Sequence, residues 1–244
     1  MKAYEQTLHL LDTLKLRGML TCLDEELNEA EGQKVSYLTF LTALLHREIS
    51  DRTERRMKRN LAAAHLPTIK RLEDFEFGRV KGITKSDVSK LLDFRWLDTH
   101  DNTLFFGPPG LGKTHLSIGL GVKAVEAGYT VCFERIVNLV ELLKMAQIQR
   151  TSGFRINKIR KVDLLIIDEI GYTPIERKEA NKFFNLISEL YERTSIIITS
   201  NKGFDSWAEM MGDDVMTTAL LDRLLHHAKV FNLDGESYRI KARR

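Results

Sequence analysis

The run Gly107-Pro108-Pro109-Gly110-Leu111-Gly112-Lys113-Thr114 matches GxxxxGK[ST], a spacing suited to phosphate chemistry. Glycines let the backbone curl until successive N–H groups face phosphate oxygens. A helix that begins at the end of the run adds the positive end of its dipole. Lys113 would reach the β- and γ-phosphates of a nucleoside triphosphate, and the Thr114 hydroxyl would ligate Mg²⁺.

Leu164-Leu165-Ile166-Ile167-Asp168-Glu169 supplies a second piece. An apolar run ending in two carboxylates reads as a buried strand with its acids at the carboxyl end, where open α/β sheets bind ligands. Asp168 would hold the Mg²⁺ shell, directly or through water, and Glu169 would act as general base on the attacking water. A third run, Ser195 to Asn201, is β-branched and ends in polar residues. If it lies between the first and third strands, Asn201 can orient that water; otherwise Asn201 is a turn former. Arg223, on a predicted helix, either pairs with Asp222 or reaches a neighbouring subunit's γ-phosphate.

These groups need a scaffold that brings strand ends together. Short apolar runs occur at Thr103–Phe106, Thr130–Phe133, Asp163–Ile167, Ser195–Thr199 and Lys229–Leu233, separated by amphipathic helical stretches. Strand alternating with helix implies a parallel sheet with right-handed crossovers. The phosphate loop then sits between a strand and the helix from Lys113 to Ala127, and Gly128 ends that helix.

The first 65 residues read as helical. Leu16, Leu20, Leu23 and Leu27 repeat at helical spacing, as do Leu38, Leu41, Leu45 and Ile49, and both stripes read as core. Gly32 fits a break, Ser36 a cap for the next helix, and Pro67 a stop.

The chain has 244 residues, 43% of them apolar and 29% charged, with a net charge of +3. That composition excludes disordered and collagenous classes. No apolar run is long enough to span a membrane, and the N-terminus lacks a signal-peptide pattern. Cys22 and Cys132 stand far apart and in no CxxC pair, which fits a reducing cytoplasm.

Charge is unevenly placed. Residues 1–31 carry three basic and seven acidic side chains, whereas residues 32–71 carry nine and three. Arg52, Arg55, Arg56, Lys58 and Arg59 cluster there, followed by Lys70 and Arg71. A second basic segment holds Arg150, Arg155, Lys158, Arg160 and Lys161, and Ser152 and Gly153 make it read as a loop. Each segment is either a phosphate-seeking surface or a solvated one.

The set GPPGLGKTH, LLIIDE, IIITSN, DRLLHH and GESYR, in this order, resembles the IstB-type ATPases of bacterial insertion sequences. These belong to the AAA+ class and are similar to bacterial replicative helicase loaders. The resemblance covers essentially the whole chain. It implies an α/β P-loop core with a three-layer parallel sheet, and a small N-terminal all-helical domain. The domains would be residues 1–66 (helical), 67–80 (a linker touching the nucleotide base) and 81–244 (the ATPase). It implies ATP and Mg²⁺ as cofactors, with residues Gly107 to His115 and Asp168 around the nucleotide. Asn201 corresponds to the first sensor and Arg223 to an arginine finger acting at a homo-oligomer interface; Arg239 is either a second sensor or a surface residue of a basic tail. Only about a dozen residues follow the last strand, too few for the usual helical lid. Phe75, Phe77 and Val80 would either contact the adenine or pack in the core.

Two functions fit the resemblance. In the first, ATP assembles subunits on double-stranded target DNA, the assembly deforms the DNA and presents it to the element's transposase, and hydrolysis dismantles it. The basic segments would then follow the phosphate backbone. In the second, the chain loads a hexameric helicase and prefers single-stranded DNA. A metabolic nucleotide kinase is disfavoured, because nothing supplies a second substrate pocket or a lid.

Overall fold

In the computed structural model, which describes residues 2–171 and 174–238, the leucine-rich start forms three helices. These are α1 (Lys2–Thr13), α2 (Arg17–Gln33) and α3 (Tyr37–Ala63). Two compact units divide the chain at Arg59 and Asn60, inside α3. Ser36 caps α3 as expected: its Oγ accepts the Thr39 N–H at 3.2 Å. The break before it falls elsewhere than expected. Helix α2 runs through Gly32, and Lys34 takes the left-handed terminal conformation (φ 50°).

One leucine stripe is core and the other is not. Leu23, with Met19 and Cys22, packs against Leu44, and Leu16 and Leu27 lean on that cluster. Leu38, Leu41, Leu45 and Ile49 remain 76%, 48%, 46% and 61% exposed, which corrects the reading of that stripe as core. The reason is geometric. Helix α3 buries the face that carries Leu44 and Glu48, and its apolar stripe lies on another.

Residues 60–244 hold the sheet. After β1 (Val80–Lys81) come α4 (Lys85–Leu91), α5 (Arg95–Asp98), β2 (Asn102–Phe106) and α6 (Lys113–Glu126). Next are β3 (Val131–Arg135), α7 (Ile136–Met145), α8 (Arg150–Ile159), β4 (Leu164–Ile170) and α9 (Arg177–Leu190). The chain continues through β5 (Ser195–Ser200), α10 (Asp205–Met211), α11 (Asp214–Leu225), β6 (Ala228–Asn232) and β7 (Asp234–Gly235). Five strands form one parallel sheet in the order β3-β4-β5-β2-β6. So β5 does lie between the phosphate-loop strand and the carboxylate strand.

Strands β2 to β5 are buried on both faces, as their unbroken apolar runs require, whereas the edge strand β6 is largely exposed. Leu165, Ile167, Ile196 and Ile198 join one core with residues of α7, α9, α10 and α11. Ile166 faces the other side, beneath Gly121 of α6. Asn102 stitches the start of β2 in place: its amide donates to the Leu224 carbonyl and accepts the Ile196 N–H, both at 2.9 Å.

The segment 150–161 is mostly helix, not the expected loop. Ser152, Ile156 and Ile159 fall on one buried face of α8, so packing decides against the Ser-Gly signal. A two-stranded ribbon of β1 with β7 was also not foreseen. Residues 67–80 pack into this unit, with Leu72, Phe75 and Val80 buried. Among the described residues no helix is long and apolar enough to cross a membrane.

The first unit depends on one buried acid. Glu48 Oε2 accepts the N–H groups of Gly18 (2.7 Å) and Met19 (3.2 Å) at the start of α2, and Oε1 takes Arg52 Nε at 2.5 Å. Burial pushes this carboxyl up, but Arg52 and the two N–H donors outweigh that and hold it below the usual range. Its stabilisation is therefore present above the ordinary Glu pKa of about 4.3 and is lost as pH falls through the lower folded value. Glu48→Ala should destabilise α2 by about 1–3 kcal/mol at neutral pH by leaving both donors unpartnered. Amide exchange at Gly18 and Met19 measures this, and in the unaltered chain their protection should fall away in acid.

Candidate active site

Three strand ends and one loop make the site. The phosphate loop leaves β2 at Gly107 and enters α6 at Lys113. Gly112 is the left-handed residue before the helix (φ 84°), and a Cβ there would sit 2.6 Å from the Phe75 ring. At Gly110 (φ 87°) a Cβ would run into the Ser237 hydroxyl. The loop thus needs glycine for its own curl and for the segments pressed against it.

The carboxylates sit where the strand order puts them. Asp168 is buried at the end of β4. Its Oδ1 accepts two hydroxyls, Thr114 Oγ1 at 2.8 Å and Thr199 Oγ1 at 2.5 Å. Thr199 Oγ1 in turn accepts the Glu169 N–H at 2.9 Å. Glu169 has a left-handed backbone (φ 64°), uncommon for a residue with a side chain, and is held there by that bond. Arg135, at the end of β3, approaches Glu169 with Nε 3.8 Å from Oε2.

Lys113 lies folded on its own loop, with Nζ donating to the carbonyls of Gly107 (2.6 Å) and Pro108 (2.8 Å). Asn201 Oδ1 is buried and accepts no hydrogen bond from any described residue. Lys113, Thr114, Glu169, Thr199 and Asn201 all line one cleft of about 510 Å³. That size suits a nucleotide. The oxygens of Thr114 and Asp168 form the hard donor set that Mg²⁺ prefers, so these residues fit that ion.

The far side of the cleft is aromatic. Phe75 meets the His115 ring edge-on at 5.7 Å and the Tyr238 ring at 6.3 Å. His115 Nε2 lies 2.7 Å from the Arg71 carbonyl. Tyr238 donates its N–H to the Gly110 carbonyl at 3.0 Å and its hydroxyl to the Glu76 carbonyl at 2.7 Å. Phe75 is both core and cleft wall, Phe77 is half-buried and Val80 is buried away from the cleft lining. Sequence reasoning missed Thr199 and Tyr238. The polar end of the β5 run was a signal for Thr199; Tyr238 lay inside GESYR with no hint of its target. No helical lid follows β6 among the described residues, and Arg239 lies outside them.

The remaining expected residues lie elsewhere. Arg223 does not line the cleft of its own chain. It donates to the Ala219 carbonyl at 2.8 Å and stacks over the Phe184 ring at 4.9 Å, with no ion pair to Asp222. Arg52, Arg55 and Lys58 are paired to Glu48, Asp51 and Glu54 on α3, while Arg56 and Arg59 are exposed and form no ion pair among the described residues. Arg155 is turned inward to Glu134, only 14% exposed, and Arg160 pairs with Glu189 at 2.6 Å. Arg150, Lys158 and Lys161 are exposed and make no ion pair among the described residues. Phe154, 63% exposed, lies on the same helix, one turn from both Arg150 and Lys158.

Known proteins share this sequence and architecture. The chain is 42% identical to the insertion sequence IS21 putative ATP-binding protein of Pseudomonas aeruginosa, over 96% of this chain and 89% of that one. It is 39% identical to the IS5376 putative ATP-binding protein of Geobacillus stearothermophilus, over 88% and 86%. The crystal structure of DnaI shares the fold, with a TM-score of 0.57 at 16% identity over 68% of this chain and 91% of that one. The family described as IstB-like ATP binding protein matches residues 9–244. With its phosphate loop, carboxylate pair and five-stranded parallel core, the chain belongs to the IstB-like ATP-binding family.

Proposed function

We propose that this protein is a Mg²⁺-dependent ATPase that assembles on double-stranded DNA and delivers it to the transposase of its insertion sequence. The observation that carries the catalytic half is the chain of hydrogen bonds Thr114–Asp168–Thr199–Glu169, which locks the phosphate loop to the carboxylate pair. The relatives named for insertion sequences support the transposition half.

The chemistry follows from the positions. The loop N–H groups and the start of α6 hold the phosphates, and Lys113 swings from its loop carbonyls to offset charge on the transferred group. Thr114 and Asp168 would hold Mg²⁺, which when bound neutralises β- and γ-oxygens. Glu169 accepts the proton of the attacking water, and Asn201 orients that water with its unpartnered Oδ1. Phe75, His115 and Tyr238 form the wall against which the base lies. Arg223, outside its own cleft, reaches the γ-phosphate of the adjoining subunit, so hydrolysis requires a homo-oligomer.

DNA contact falls to the cations that internal acids leave available: Arg150 and Lys158 on α8, Lys161 in the turn after it, and Arg56 and Arg59 on α3. Arg155 and Arg160 position α8 rather than touch DNA. Such contacts give salt-dependent affinity with little base reading. A protein with this role acts in the cytoplasm.

Glu169→Gln should bind ATP and remain assembled on duplex DNA, with turnover reduced at least 100-fold. Particle size on a long duplex and on a matched single strand, at two salt concentrations, checks this. Preference for the single strand would favour a helicase-loading role with the same ATP site. Arg223→Ala should retain ATP binding yet lose hydrolysis, and mixing it with Lys113→Ala should restore part of the activity. An inactive mixture would remove the case for action across subunits. Lys158→Ala with Lys161→Ala should weaken duplex binding and reduce the slope of log affinity against log salt by about two.

A further inference from the structure

At the opposite end of the sheet from the phosphate loop, three side chains that the ATPase does not use converge. Glu192 lies in the turn between α9 and β5, and His226 and His227 form the turn between α11 and β6. Among the described residues, theirs is the one group of three or more His, Cys, Asp or Glu whose ligand atoms all lie within 4.8 Å of one another. We infer that Glu192, His226 and His227 form a site for a zinc-class divalent cation.

The donor set argues for that class. Two imidazoles and one carboxylate suit Zn²⁺ or Co²⁺, with water in the fourth position; Mg²⁺ would prefer oxygens alone. The two histidine rings are already close, with centroids 4.1 Å apart. Tyr191 Oη lies 2.8 Å from His226 Nδ1, which orients that ring and leaves Nε2 as its ligand atom. Such a contact on the second nitrogen is what metal-binding histidines usually have. The Glu192 carboxylate hydrogen-bonds the Tyr191 side chain, the same group that contacts His226, so Tyr191 bridges two of the three ligands. Tetrahedral ligands at about 2.0–2.1 Å from zinc stand roughly 3.3 Å apart, so the three side chains must draw together to hold the ion. All three are exposed, and rotamer changes supply that movement.

The site also has a structural consequence. His226 and His227 follow Arg223 by about one turn of α11, and Glu192 follows α9, whose Phe184 lies under Arg223. A cation bound there would tie the turn after α9 to the end of α11 and so fix the helix pair that presents Arg223. This inference does not depend on the nucleotide reading.

The test is a Co²⁺ titration of the tag-free full chain without nucleotide, followed by visible absorption. The expected result is saturation at one ion per chain, with the intense d–d bands of a tetrahedral site that Zn²⁺ displaces. His226→Ala with His227→Ala should abolish the bands, and Tyr191→Phe should weaken binding about tenfold. Zn²⁺ should raise the melting temperature of the unaltered protein and leave that of the double variant unchanged. Equal melting temperatures of the two in EDTA would show that the variant folds. No saturable binding, or a spectrum that persists in the double variant, would overturn the site; persistence would place the ion elsewhere, for instance at Thr114 and Asp168.

Discussion

A buried carboxylate oxygen that takes two hydroxyls holds this site together. Asp168 Oδ1 lies where water cannot solvate it, so its charge must be met by donors from the protein. One donor is Thr114, at the start of α6; the other is Thr199, at the end of β5. The same Thr199 holds the Glu169 N–H, so the candidate base is positioned by the residue that satisfies the candidate metal ligand. These contacts exist only because β5 lies beside β4 on one side and β2 on the other. Another strand order would separate the three strand ends by a strand width or more.

Among the described residues the cleft has an aromatic wall and no helical lid. The segment after β6 returns through β7, pairs with β1, and sets Ser237 and Tyr238 against Gly110. Tyr238 is tied at both ends, by its N–H to the phosphate loop and by its hydroxyl to the chain beside Phe75. The aromatic side of the cleft is thus joined to the phosphate side through Tyr238, by one backbone and one side-chain hydrogen bond. A change in the loop on nucleotide binding would be felt directly by residues 236–238.

Charge on this protein is less available than its composition implies. Much of the basic run on α3 faces acids one helical turn away, and pairs of that kind are solvent-screened and worth little stability. Arg155 is tied to Glu134 in a buried pair that fastens α8 to β3. What remains on α8 is Arg150 and Lys158, without ion pairs among the described residues, flanking an exposed Phe154. The exposed stripe from Leu38 to Ile49 tells a similar story for apolar residues, since helical spacing alone does not say which face a small bundle can cover.

Local pattern sufficed for much of this molecule. GxxxxGK[ST] demands a strand before it and a helix after it, and β-branched runs buried on both faces admit little but a parallel core. The Asp168-Glu169 pair was legible because an apolar run must end where polar groups can be used. The partners of those groups were not legible. Thr199 reads as one more β-branched residue until the sheet sets it against Asp168, and Tyr238 reads as a tail residue until β7 folds back. Ser152 and Gly153 signal a loop, yet Ile156 and Ile159 bury a helix. In each case the deciding interaction joins residues distant in the chain, and only the tertiary structure specifies which distant groups meet.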